Sequence, residues 1–371
     1  MIHFGMPRRT AHATAAARRR RRAPTPLPLA LFLALAAILV GACDRAEPDG
    51  AAARGSPARG MSGAVRVVAT TGMVADLASH VGGTHAQVTA LMGEGVDPHL
   101  YKPSPGDLRL LQGADLVLYS GLHLEGKMVE VFEQLAKKKP VVAVADIIPA
   151  EQLRQPPEFK GHPDPHVWFD VALWMKACEA ARDALVRVDP TNAREYEANA
   201  EAYLKQLGEL DRECRERIAT IPADRRVLVT AHDAFGYFGR AYGLEVHGIQ
   251  GISTDSEASL RDMNALVDLL VQRAVPAVFV ESSVPRKTID ALVEGCRARD
   301  HEVRIGGQLF SDAMGAPGTP EGTYPGMVRH NVRVIVEALG GTAEPRSAPP
   351  ASAGAGGAEP GNRGTSGGLS P

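Results

Sequence analysis

Two rhythms of apolar residues alternate along this chain. Short unbroken runs sit between turn-forming residues: Val65 to Thr70, Val88 to Leu91, Leu116 to Tyr119 and Val141 to Ala145 in the first half. Val227 to Thr230, Glu245 to Gly248, Ala277 to Val280 and Val303 to Gly306 repeat the pattern in the second. Their length and apolar content predict buried strands. Between them the spacing changes to three and four residues, which predicts helices at Met73 to Val81, Asp107 to Gln112, Lys127 to Lys137, Ser256 to Gln272 and Arg286 to Arg299. Strands that alternate with helices pair in parallel, under helical cover on both faces. The expected fold is α/β, with two lobes that each hold a four-stranded parallel sheet flanked by helices.

The two groups of strands are separated by one long polar-apolar repeat. Asp189-Pro190-Thr191-Asn192 is a helix-start signal, and the chain then runs to Ile218 with Gly208 as its only glycine and no proline. Tyr196, Ala200, Tyr203, Leu207 and Leu210 recur at helical spacing. At 1.5 Å per residue this predicts a helix of roughly 40 Å, a single stiff connector between the lobes. Such a connector should resist bending, so ligand binding is expected to move the lobes only modestly. The expected organisation is a first lobe at 64–188, the linking helix at 189–220 and a second lobe at 221–341.

The ends of the chain differ in character. Arg18 to Arg22 precede an apolar run from Leu27 to Val40, followed by Val40-Gly41-Ala42-Cys43. That run is short for a membrane span, and small residues before a cysteine predict an export signal at 1–42 with acylation at Cys43. The expected location is therefore extracytoplasmic, on the periplasmic side of the cell membrane, lipid-anchored through Cys43. Residues 43–63 are rich in Ala, Gly and Pro and read as a flexible tether; residues 342–371 read as a disordered tail. The formal charge of −2 hides an asymmetry, because the first 42 residues hold seven arginines and no carboxylate. The remainder has 34 basic against 43 acidic residues, a charge that disfavours nucleic acid and suits cationic ligands.

Ten histidines lie beyond the leader. Four segments carry a histidine or aspartate where a strand is expected to end, the position at which open α/β sheets bind ligands. They are Gly95-Val96-Asp97-Pro98-His99, the stretch from Gly161 to Asp170 that contains His166, Thr230-Ala231-His232, and Leu309-Phe310-Ser311-Asp312. Pro163 and Pro165 hold the backbone extended on the approach to His166. Imidazoles with a carboxylate suit zinc, manganese or ferrous iron. Separations of 66 residues or more mean that the fold, and not a local finger, would assemble such a site. Glu281, at the end of its strand, is a candidate partner for a ligand imidazole. His123 and His162 are expected to stand outside the ligand set. Cys178, Cys214 and Cys296 allow one disulfide and leave one thiol, with no pairing indicated.

The segments GVDPHLYKPSPGDL, DPHVWFD, TAHDAFGYFGRAYGLEV and SDAMGAPGTPEGTYPGMVRHN resemble those of the TroA-like (cluster A-I) solute-binding lipoproteins, which deliver zinc or manganese to ABC importers. The resemblance spans most of residues 64–340. It implies two lobes joined by one helix, with a metal held between them by His99, His166, His232 and Asp312. It further implies an ABC permease and its ATPase as partners, a monomeric chain, and a divalent metal as cargo in place of a cofactor. A histidine at 232 and the absence of a long His-rich loop place the chain with the three-histidine, one-aspartate group, which accepts zinc or manganese. Two other classes are compatible with a buried metal, a zinc hydrolase and an adhesin-type envelope lipoprotein. The chain has neither a HExxH helix nor a Gly-x-Ser-x-Gly elbow, which disfavours the hydrolase.

Overall fold

A computed structural model describes residues 63–342 apart from 158, 160 and 256. The expected leader at 1–42, the acylation site Cys43, the tether to residue 62 and the tail from residue 343 lie outside the described residues. In the first half, β1 (Val65–Ala69), β2 (Ala86–Ala90), β3 (Leu116–Tyr119) and β4 (Val141–Ala143) form one parallel sheet of order β2-β1-β3-β4. Each crossover is helical: α1 (Gly72–Gly82), α2 (Pro105–Gly113) and α3 (Val129–Ala136). Their starts are written in the sequence. Thr71 caps α1 by accepting the Val74 N–H, and Ser104 with Asp107 closes a reciprocal capping box on α2 ahead of Pro105.

The second half follows the same plan with a difference. β5 (Val227–His232) pairs in parallel with β6 (Glu245–Gln250), and β7 (Ala277–Glu281) pairs in parallel with β8 (Arg304–Leu309). The single four-stranded sheet expected here is instead two parallel pairs, packed side by side along β5 and β7. A side-chain link joins the pairs at the strand ends. The backbone N–H of His232 on β5 is taken by the Glu281 side chain on β7, 2.8 Å away, and not by a strand carbonyl. The fold class itself is as expected, parallel sheets flanked by helices about one long helix.

That helix belongs to the stretch joining the halves. α4 (Val171–Val188), capped by Asp170, ends at Asp189, and α5 (Ala193–Ile218) follows after one 3-10 turn. At 26 residues α5 is about 39 Å long. Its buried stripe is Tyr196, Ala200, Tyr203, Leu207, Leu210, Cys214 and Ile218, with charges on the other side. Tyr203 donates to the buried Asp76 of α1, and Asn199 donates to the Val81 carbonyl at 3.1 Å, so α5 is pinned to the first half by polar bonds as well as packing. Two further helices, α6 (Gly236–Tyr242) and α9 (Tyr324–Ala338), were not expected from spacing. Between them in sequence lie α7 (Leu260–Gln272) and α8 (Lys287–Arg297), which cover the far face of the second half.

One apolar core runs through both halves. It begins at Val65 and Ala69, passes Trp168, Phe169, Trp174 and the stripe of α5, and continues to Phe235, Phe279, Ile335 and Leu339. Cys178, Cys214 and Cys296 are buried free thiols, and burial pushes the first two up to about 12. No helix among the described residues is long and apolar enough to cross a membrane.

Candidate metal centre

Three of the four donors singled out by sequence lie at a strand end or on the loop that follows one. His99 lies on the loop after β2, His232 is the last residue of β5, and Asp312 follows β8 by three residues. His166 is the exception to the strand-end expectation: it lies well past β4, on the coil that enters α4 through a 3-10 turn at Val167–Phe169. Its position is set by the seam between the halves. Trp168 donates to the Ser311 carbonyl at 3.1 Å, Tyr324 donates to the Trp168 carbonyl at 2.7 Å, and Phe169 stacks on Phe235 at 4.3 Å. These aromatics are fully or almost fully buried, so the residues beside His166 are clamped by the second half.

The structure brings His99, His166, His232 and Asp312 together, all four buried, with one donor atom from each within 4.8 Å of the others. His99 Nε2 and His166 Nε2 are 3.3 Å apart. Asp312 spans the other two: Oδ1 is 3.4 Å from His166 Nε2 and Oδ2 is 3.2 Å from His232 Nε2. A tetrahedral ion with ligands at about 2.0–2.1 Å has edges of about 3.3 Å, and these three separations match such an edge. Both oxygens of Asp312 face inward, which allows one or two of them to bind.

Two of the imidazoles are oriented from behind. Asp164 Oδ1 accepts the His166 N–H at 3.0 Å and faces its Nδ1 at 2.8 Å. Glu281 does the same for His232, with Oε1 on the backbone N–H and Oε2 2.5 Å from Nδ1. A carboxylate at Nδ1 fixes the proton there and turns the Nε2 lone pair toward the centre. His232 Nε2 and Asp312 Oδ1 are buried without a hydrogen-bond partner among the described residues. Converging lone pairs with nothing to donate to them are what a cation would satisfy.

The electrostatics point the same way. Burial pushes the His99 imidazole down to about 3, keeping it neutral. Burial opposes a charge on His166 too, but its bond to Asp164 and the neighbouring Asp312 carboxylate outweigh that and hold it at about 9. For His232, burial is outweighed by the charges of Glu281 and Asp312, and the net shift is well upward. Asp312, despite burial, is held well below the usual carboxylate range by His232 and His166. The carboxylates beside His166 and His232 thus favour positive charge at this position.

His123 and His162 are elsewhere. Their rings stack on one another, 4.2 Å apart and 15° from parallel, and neither belongs to the four-donor cluster. His123 does line, with His99, Lys127, Phe159 and Asp255, an open cavity of about 450 Å³ beside the centre. Two positioning residues escaped the sequence reading, Asp97 and Asp164. A signal for them exists: each heads an Asp-Pro-His tripeptide, and an aspartate readily grips the backbone N–H two residues on.

Two α/β halves about one long helix, with a buried three-histidine, one-aspartate cluster at their seam, define a metal-capturing solute-binding protein. Residues 67–338 match the family described as "Zinc-uptake complex component A periplasmic", ZnuA, and the chain belongs to that family. It is 52% identical over 275 residues to the manganese-binding lipoprotein MntA of Bacillus subtilis, covering 74% of this chain and 90% of that one. It is 33% identical over 284 residues to the manganese ABC transporter substrate-binding lipoprotein PsaA of Streptococcus anginosus, covering 74% and 89%. Among solved structures, the periplasmic zinc-binding protein TroA of Treponema pallidum superposes with a TM-score of 0.73 at 51% identity, covering 75% of this chain and 99% of that one.

Proposed function

We propose that this chain is the substrate-binding component of an ABC importer, which captures a divalent metal ion and delivers it to a membrane permease driven by an ATPase. Its ligands are His99, His166, His232 and Asp312, with Glu281 and Asp164 orienting two of the imidazoles. The observation that carries this reading is the convergence of four buried donors within 4.8 Å of one another, two donor atoms having no hydrogen-bond partner among the described residues. Residues 64–188 and 221–341 act as the two lobes, and residues 189–220 as the connector. The chain works as a monomer on the periplasmic side of the membrane, held there by acyl chains on Cys43.

The cargo is zinc or manganese. Three imidazoles favour zinc in affinity, while a carboxylate offering both oxygens also meets the higher coordination number and oxygen preference of manganese. Ferrous iron fits the same donor set. Four protein donors leave little room for the activated water that a catalytic zinc site keeps, so the ion is carried and not used for hydrolysis. Calorimetric titration of metal-free protein with zinc and with manganese tests the reading. One ion per chain, lost on removal of His232, is expected; a protein that binds neither metal would overturn it. Metal analysis of protein taken from its own envelope then decides the physiological cargo.

A further inference from the structure

The three histidines of the centre are not held alike. His166 and His232 each have a carboxylate behind the ring, whereas among the described residues none stands behind the ring of His99. His99 is also the one member of the cluster that lines the open cavity. What fixes it is the backbone: its N–H is accepted by Asp97 Oδ1 at 2.9 Å. Asp97 does not turn its second oxygen to the imidazole. Oδ2 instead accepts the hydroxyl of Thr254, 2.5 Å away, on the segment between β6 and α7 in the other half. Beside this bond, Lys127 and Asp255 pair across the same rim at 3.0 Å, but both are substantially exposed and the pair adds little.

We propose that the metal ion reaches and leaves the centre past His99, and that Thr254, acting through Asp97, is the latch that holds this arm in its binding position. The proposal rests on the metal-capture reading above and adds to it a positioning residue and a route. With the latch made, His99 closes the cavity side of the centre. With it broken, the loop carrying residues 95–99 is free to withdraw the imidazole while His166, His232 and Asp312 stay fixed by the seam. A hydrogen bond from a hydroxyl to a carboxylate is among the stronger kind, so its loss should be felt in the rate of release.

Zinc- or manganese-loaded protein, mixed rapidly with excess chelator, reports the dissociation rate; mixing metal-free protein with metal reports loading. Thr254→Val is expected to speed dissociation by about tenfold while loading changes by less than about twofold. Thr254→Ser, which restores the hydroxyl, should return dissociation to within about twofold of the parent. Asp97→Asn keeps the acceptor for the His99 N–H but weakens the bond to Thr254. It should move release in the same direction, and the double variant should be no faster than Thr254→Val alone. Failure of the parent protein to bind either metal would overturn the capture reading and this proposal together. Tight binding by the parent with unchanged dissociation from Thr254→Val would overturn the latch alone. Should Thr254→Val fold poorly, as judged by melting of the metal-free protein, unchanged release from Asp97→Asn overturns the latch in its place.

Discussion

The tripeptide Asp-Pro-His occurs twice at this centre, at residues 97–99 and 164–166, and the two copies have opposite fates. Locally they are the same device: the aspartate accepts the histidine N–H at 2.9 Å in one and 3.0 Å in the other. They diverge in what else the carboxylate touches. Asp164 is wholly buried; Oδ1 turns to the ring of its own histidine, and Oδ2 pairs with Arg154. Tyr237 then donates to the Asp164 carbonyl at 2.9 Å. Asp97 is half-buried and spends its second oxygen on Thr254. The same three residues thus make a fixed post in one place and a movable arm in the other. Surroundings, not motif, decide which.

Removing the post should cost more than removing the arm. Asp164→Asn keeps an acceptor for one of its two bonds to His166, and loss of such a partner typically costs 10–100-fold in metal affinity. Removing a proposed ligand outright should go further, so His166→Ala and His232→Ala are expected to lose at least about 100-fold. His99→Ala should lose less affinity than either, with most of its loss in faster dissociation, because three rigidly held donors remain. Competition titration against a chromophoric chelator measures all three. Equal losses from His99→Ala and His166→Ala would erase the distinction between arm and post.

The next contrast is between the two aspartates. Asp164→Asn is expected to weaken metal binding by about 10–100-fold, and Asp97→Asn by less than about tenfold. Asp97 makes no bond to an imidazole, so its replacement reaches the ring of His99 only through the backbone and the link to Thr254. Melting of the metal-free variants separates lost affinity from lost fold, since Asp164→Asn also strips a charge partner from the half-buried Arg154. Comparable affinity losses would mean that Asp97 supports the centre as directly as Asp164 does.

Much of this was legible in the sequence, and what was not has physical causes. Strands announced themselves as short unbroken apolar runs and the long helices by apolar spacings of three and four, and α5 was placed within a few residues. α6 escaped because Gly236-Tyr237-Phe238-Gly239 pairs two poor helix formers with aromatics buried on several sides. α9 follows a Pro- and Gly-rich stretch that reads as turn, although Thr323 and Pro325 are sound start signals. The split of the second sheet was not legible, since nothing in the strand runs tells which neighbours pair and which only pack side by side. The four donors could be singled out because their segments resemble the family's and three of them end or follow a strand; His166 stands far from one. Their separations could not. Nor could the latch, because Thr254 is an ordinary loop threonine until the fold sets it against Asp97.

Away from both tripeptides the effects should become small. His162→Ala is expected to change metal affinity by less than about twofold, because its ring meets His123 and Phe159 but none of the four donors. A loss as large as that of His232→Ala would force a wider definition of the centre.

The smallest change is expected in overall shape. The rim beside His99 is polar, exposed and joined by few bonds, but the seam behind His166 is dry and aromatic. There the apolar core passes without interruption from Trp168 and Phe169 to Phe235 and Tyr324, and α5 lays its buried stripe along it. Opening the halves as rigid bodies would expose that core, at roughly 25 cal/mol for each Å² of apolar surface. Withdrawal of one loop breaks far less. Binding should therefore be accommodated at residues 95–99 and 251–255, with the halves keeping their packing. Solution scattering of metal-free and metal-loaded protein should give radii of gyration that differ by under about 1 Å, the scale of pre-organised binding. A compaction of several ångströms on loading would show that the seam hinges, and the arm would then move with its half instead of alone.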